Sequence, residues 1–256
     1  MKIVKNIIVA FSLYSQIPMP RFQWTEEDRK HNLVFLPWVG AVIGAFTLGL
    51  YYVLQWIEAP LVGETALFAL VPLLITGGFH VDGYMDVQDA LKSYRSPEEK
   101  LEILKDPHIG AFAVIRLLMY SLIWGAAMSV LIRCGRMNLI SIYSCTFFIA
   151  RAGAALTSLS FIHAKKTGML HMETEKSTSV DRVVSALELM VGLVLICLVH
   201  RFIGFVIIVV TVLHCLYYRW LCYRNFGGVT GDTAGFYIVT LEEVFLVTIA
   251  VLSYFI

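Results

Sequence analysis

VVSALELMVGLVLICLVHRFIGFVIIVVTVLHCLYYRWL, residues 183–221, is apolar almost throughout, and His200-Arg201 is the one real break in it. A helix rises 1.5 Å per residue, and crossing a hydrocarbon layer of ~30 Å takes about 20 mostly apolar residues. The stretch therefore reads as two membrane helices, 183–200 and 202–221, joined by a short polar turn. Applied outward, the same criterion gives 33–57, 63–78, 110–132, 137–161 and 237–256, about seven spans in all. The span at 63–78 differs from the others. It is short, contains Pro72 and ends at Gly77-Gly78. This pattern predicts a short or broken helix facing a cavity, because irregular backbone survives at membrane depth only where protein or water covers it.

Composition agrees. Of 256 residues, 58% are apolar and 15% charged, with a mean hydropathy of +0.74. Soluble domains run nearer half apolar and a quarter charged. A DNA-binding domain, a disordered tail and a secreted disulfide scaffold are excluded. The fold class is all-α, a polytopic membrane protein forming one domain over residues 1–256. The cysteines (Cys134, Cys145, Cys197, Cys215 and Cys222) form no CxxC pair and suggest neither a disulfide framework nor a zinc site. The N-terminal run to Leu13 lacks a small-residue cleavage signal and reads as an amphipathic helix lying on the membrane surface.

Basic residues set the orientation. Seven spans place Lys2, Lys5, Arg21, Arg29, Lys30, Lys92, Arg95, Lys100, Lys105, Lys165, Lys166, Lys176, Arg182, Arg219 and Arg224 on one side. Only Arg133, Arg136 and Arg201 fall on the other, while Arg116 and Arg151 lie within spans. The expectation is a cell (inner) membrane protein with cytoplasmic N-terminus, external C-terminus and large cytoplasmic loops at 79–109, 162–182 and 222–236.

Those loops carry the chemistry. In TGGFHVDGYMDVQDAL, residues 76–91, Asp82, Asp86 and Asp89 stand at i, i+4 and i+7. On a helix they share a face and repel one another, a penalty that a divalent cation would remove. Mg²⁺ takes oxygen ligands, usually one or two carboxylates with substrate phosphates. A solvated acidic helix face softened by Lys92 and Arg95 is the plainer alternative. His80 is either a satisfied polar residue at the helix start or a base beside the metal. In LKDPHIGA, residues 104–111, Lys105 can meet a phosphate as a point charge, although the segment also suits a turn leading into a span. In NFGGVTGDTAGF, residues 225–236, glycines around Asp232 can form a nest of N–H groups for an anion, where a flexible connection would need no aspartate. Arg151, deep in its span, either counters a substrate phosphate or pairs with an acid such as Glu188. Glu242 and Glu243, near a span end, read as structural.

Together TGGFHVDGYMDVQDAL, LKDPHIGAF and GGVTGDTAGF resemble the integral-membrane cobalamin synthase family, the adenosylcobinamide-GDP ribazoletransferases. FSLYSQIPMP and LPWVGAVIG near the N-terminus add to the resemblance, which covers essentially the whole chain. Ala90 and Ala113 stand where the family pattern often has glycine. The resemblance implies that the 3′-hydroxyl of α-ribazole, or of its 5′-phosphate, attacks the corrinoid-proximal phosphate of adenosylcobinamide-GDP. GMP leaves, in a late step of cobalamin biosynthesis, with Mg²⁺ as cofactor.

It also implies catalytic roles for His80, Asp82, Asp86, Asp89 and Asp106. Substrate-binding roles fall to Gly77, Gly78, Lys105, Gly227, Gly228, Thr230 and Gly231, with Arg151 added from its depth in the span. Metal ligation falls to Asp82, Asp86, Asp89 and Asp232. The general base is His80 or one of the aspartates. The implied partners are the two substrates and the lipid bilayer, with no nucleic acid and with room for a homo-oligomer. The alternative is another membrane transferase acting on a diphosphate, of the CDP-alcohol phosphotransferase or prenyltransferase kind. If both glycine-flanked aspartate motifs serve one reaction, Asp82 and Asp232 should share a single pocket.

Overall fold

The computed structural model describes residues 2–25, 30–165, 167–175 and 177–256; Arg29, Lys166 and Lys176 of the charge pattern lie outside them. Among the described residues the regular structure is helical, apart from an isolated parallel bridge between His163 and Val229.

Helix α1 (Lys2–Tyr14) presents Ile3 and Val4 outward and buries Val9 and Ala10. A 3-10 turn (Asn32–Phe35) leads into α2 (Leu36–Trp56), and α3 (Leu61–Thr76) follows. Then come α4 (Phe79–Lys92), α5 (Pro97–Ile103), α6 (Ala111–Cys134) and α7 (Met137–Ser160). The chain closes with α8 (Met169–Thr174), α9 (Ser179–Val199), α10 (Arg201–Phe226) and α11 (Gly231–Leu252). Among the described residues, six helices are long and apolar enough to cross a membrane: α2 with its 3-10 turn, α6, α7, α9, α10 and α11. The protein is thus an all-α, multi-pass membrane protein.

The seventh expected span is broken. Helix α3 stops at Thr76, and α4 leaves it at 95°. The break is local chemistry. Gly77 and Gly78 both take left-handed backbone, with φ of +67° and +78°, a conformation that costs glycine nothing. The Gln16 N–H donates to the Ile75 carbonyl at 2.7 Å, satisfying a group that the helix end leaves open, and the Thr76 hydroxyl donates back to the Pro72 carbonyl at 2.7 Å. The other revised boundary is at α11. The loop expected to reach residue 236 ends at Thr230, so Gly231 and Asp232 lie in the first helical turn. Thr230 caps that turn, its hydroxyl accepting from the Thr233 N–H at 3.2 Å while the Thr233 hydroxyl accepts from the Thr230 N–H at 2.8 Å.

Helix α7 is the hub, packed by α2, α9 and α11. Gly40 and Gly44 of α2 lie so close to it that a Cβ on either would sit 2.2 Å from the Phe147 or Ser144 carbonyl oxygen. Such small-xxx-small contact is how membrane helices gain packing energy without a hydrophobic drive between them. On the side facing α11, Arg151 is buried and donates to Glu242 at 2.5 Å and to the Phe147 carbonyl at 3.0 Å. Glu188, the acid suggested from sequence, instead accepts from the Trp38 indole at 2.9 Å. Arg151 therefore ties α7 to α11, and a phosphate-binding role for it is corrected to an ion pair.

Removing one member strands the other charge, at a typical cost of about 3–5 kcal/mol, whereas replacing both by apolar side chains of similar volume is often close to neutral. Arg151→Met alone should sharply lower the thermal midpoint of the purified protein. Arg151→Met with Glu242→Met should recover most of the loss. Equal midpoints for wild type and the single variant would contradict the staple.

Candidate functional site

The site gathers where α4 crosses the start of α11. The crossing is as close as backbone allows: a Cβ on Gly83 would lie 2.9 Å from the Cα and carbonyl oxygen of Asp232, and one on Gly235 would lie 2.9 Å from the His80 carbonyl oxygen. Tyr84 of α4 stacks on Phe236 of α11 at 5.8 Å and 12°. Two motifs far apart in sequence thus meet through reciprocal glycines.

The carboxylates respond to this meeting. The Asp86 carboxyl is pushed up to about 6, first by burial, then by the charges of Asp82, Asp232 and Asp89. Asp82 is exposed and Asp86 half-buried on α4, and Asp232 stands in the first turn of α11. Asp89 has other work. Its Oδ2 accepts from the Gly110 N–H at 2.7 Å and its Oδ1 from the Ala113 N–H at 2.9 Å, so both oxygens cap the start of α6. Gly110 permits this, because a Cβ there would lie 2.5 Å from the carboxylate. The metal-ligand reading of Asp89 is therefore corrected to a cap. Ala90 and Ala113 are both buried.

His80 is 5% exposed, and its Nδ1 has no partner among the described residues. Burial and the Arg151 charge hold its ring well below the ordinary histidine range. It lines a cavity of about 220 Å³ together with Tyr14, Leu36, Phe79, Lys165 and Asp232. Asp82 instead faces a more open cleft on the other side of Phe79, with Gly77, Gly78 and Gln16. The single shared pocket expected from sequence is corrected: Asp82 and Asp232 share one electrostatic field but line two cavities. Between them, Gly83 of α4 rests on the Asp232 backbone.

The remaining sequence-marked residues divide. Gly231 is exposed at the start of α11 and lines the His80 cavity, as does the buried capping residue Thr230. Gly227 ends α10 with φ +73°. Gly228 is packed against residues 162–164, whose backbone a Cβ would meet at 2.4 Å, so it serves the bridge rather than a phosphate. Lys105 pairs with Glu102 at 2.7 Å on the surface. Asp106 folds onto its own turn, accepting from the His108 N–H at 3.0 Å and meeting His108 Nδ1 at 2.6 Å, and it lines neither cavity.

Sequence reasoning missed Lys165 and Tyr14 as site residues. The Ala164 N–H donates to the Val229 carbonyl at 3.0 Å and the Val229 N–H to the Ile162 carbonyl at 2.8 Å, which carries Lys165 to the start of α11, within reach of the Asp232 charge. Tyr14 donates to Glu173 Oε2 at 2.8 Å, joining α1 to α8 across the cavity. Neither pairing has a local sequence signal.

Among the described residues no group of three or more His, Cys, Asp or Glu side chains is gathered into a ready metal centre. The donors that do approach one another are all carboxylates, which suit a hard cation whose shell substrate phosphates complete.

Residues 6–250 match the cobalamin-5-phosphate synthase family. The chain belongs to this family. It is 34% identical to an adenosylcobinamide-GDP ribazoletransferase of Lachnoclostridium phytofermentans, over 94% of this chain and 92% of the relative. Proteins of the same name from Clostridium botulinum and Clostridium perfringens are 30% and 31% identical over 94% and 93% of this chain, and 94% of each relative. No solved structure matches it. Membership makes the protein a membrane transferase of cobalamin biosynthesis and sets aside the CDP-alcohol and prenyl alternatives.

Losing an N-terminal cap costs about 0.5–2 kcal/mol. Asp89→Ala should lower the unfolding midpoint accordingly, read by thermal melting in detergent. An unchanged midpoint would remove the capping assignment.

Proposed function

We propose that this protein joins α-ribazole, or its 5′-phosphate, to adenosylcobinamide-GDP with release of GMP, in an Mg²⁺-dependent reaction at the cytoplasmic face of the cell membrane. The relatives' name supplies the two substrates. The observation that supports the chemistry is Asp86, its carboxyl pushed up to about 6 first by burial and then by the charges of Asp82, Asp232 and Asp89 from two helices. Such a like-charge cluster is costly unless a cation joins it.

Asp82, Asp86 and Asp232 would hold the ion, with Asp89 kept apart by its amide bonds. A Mg²⁺ ion held there would supply charge neutralisation to the diphosphate and the leaving GMP. The protein's own groups do the rest. The start of α11, exposed at Gly231, offers the positive end of a helix dipole to a phosphate. His80, kept unprotonated by burial and by Arg151, takes the proton of the attacking 3′-hydroxyl. One oxygen–phosphorus bond forms to the ribose as the bond to GMP breaks. The basic-residue pattern supports a cytoplasmic N-terminus and an external C-terminus.

Asp82→Asn, Asp86→Asn and Asp232→Asn should each lower turnover by at least about 10²-fold while the protein stays folded. Chelation should abolish turnover and Mg²⁺ restore it. Full activity in chelator would refute the metal, and near-normal turnover in all three variants would refute the site. For orientation, reporters fused after Glu58, Tyr94 and Ile256 should report outside, inside and outside. An inside signal after Glu58 would invert the arrangement.

A further inference from the structure

Helix α10 ends just before α11 begins, and its last two turns carry a basic and aromatic arrangement outside the site described above. Arg219 stands about two turns before the end at Phe226, and Arg224 lies in the last turn. Both are exposed, and neither guanidinium has a hydrogen-bond or ion-pair partner among the described residues. Aromatic faces hold them instead. The Arg219 guanidinium carbon lies 5.7 Å from the Phe161 ring centroid and 5.3 Å from that of Tyr223, and the Arg224 carbon lies 5.5 Å from that of Trp220. Tyr223 is itself fixed, its hydroxyl accepting from the Ile162 N–H at 3.1 Å. A guanidinium over a ring keeps the N–H groups of its edge for an anion, in the fork that a phosphate meets with two parallel bonds.

The two arginines flank one face of the helix. Leu216, Trp220 and Tyr223, at i, i+4 and i+7, lie between them, and the five residues line an open cleft of about 490 Å³. The same face continues along α10 as Phe205, Val209, Val212 and Leu216, at i, i+4, i+7 and i+11, and all four are exposed. The rise from Phe205 to Leu216 is ~16 Å, about the depth of one leaflet in a hydrocarbon layer of ~30 Å. A cationic cleft at the end of an apolar lane one leaflet long fits an amphiphile, with its phosphate at the arginines and a chain along the lane. A water-soluble phosphate would leave the lane uncovered.

We propose that the end of α10 is a binding site for an anionic phospholipid of the adjoining leaflet, its headgroup phosphate held between Arg219 and Arg224 and one acyl chain laid along Phe205, Val209, Val212 and Leu216. The charge balance selects an anionic lipid. A zwitterionic headgroup carries its own ammonium beside the phosphate, which competes with the two guanidiniums, whereas an anionic headgroup brings no such cation. Trp220 and Tyr223 stand at the level of the headgroup, where amphipathic rings are at home. Such a site stands whether or not the protein transfers a nucleoside.

Native mass spectrometry of the full-length protein in detergent, titrated with phosphatidylglycerol or with phosphatidylcholine of the same chains, reads the site directly. Wild type should hold phosphatidylglycerol at least about tenfold more tightly than phosphatidylcholine. Arg219→Gln with Arg224→Gln should abolish that preference. Arg224→Gln alone, at the helix end, should lower it about fivefold, whereas Arg95→Gln, which removes one charge from the exposed pair with Glu99, should leave it intact. Equal retention of the two lipids by wild type would overturn the site, and that reading needs no variant to fold. A preference that survives the double variant, or that Arg95→Gln lowers as much as Arg224→Gln does, would mean general charge attraction and would overturn it too. Glycerophosphate that displaces the lipid at equal concentration would make the cleft a site for free phosphate and refute the lipid.

Discussion

The contact between Gly83 and the Asp232 backbone, answered by Gly235 against His80, is the constraint on which the site depends. A side chain at either glycine would push α4 off α11. With both absent, a helix that has turned 95° away from α3 lies directly on the first turn of the last helix. That single approach brings Asp82, Asp86 and Asp232 into one field and puts His80 beside Asp232 in one cavity.

Behind the crossing the bundle is built to hold it. Helix α7 anchors α2 through Gly40 and Gly44 and anchors α11 through the buried Arg151–Glu242 pair. The ion pair also acts at a distance, since the Arg151 charge helps to keep His80 neutral. Asp89 fixes the C-terminal half of α4 to the start of α6. The repulsion among the carboxylates stays in the folded protein, available to a cation and a diphosphate.

The spans were legible because hydrocarbon thickness imposes a length and a composition that few other structures share. The break after Thr76 was legible as well, since Gly77-Gly78 behind a proline leaves a helix little else to do. What the sequence hid was pairing across distance. Asp89 looked like a third metal ligand because i, i+4, i+7 spacing is local, while its true partners, Gly110 and Ala113, are set by tertiary packing. Arg151 showed its cost but not its partner, Glu242. Lys165 was one basic residue among many until the His163–Val229 bridge carried it to Asp232. The start of α11 was misplaced because Gly-Asp-Thr-Ala-Gly, residues 231–235, reads as loop, and only the reciprocal Thr230–Thr233 bonds show that the helix begins there.

The central claim is that carboxylates from α4 and α11 form one cation site. Mn²⁺ titration of the purified protein, followed by electron paramagnetic resonance, reads that site without turnover. Wild type should bind the ion, Asp86→Asn and Asp232→Asn should each weaken binding, and the double variant should lose less than the sum of the two, because neighbouring ligands of one ion are coupled. Strictly additive losses, or an affinity that Asp232→Asn leaves unchanged, would contradict the account.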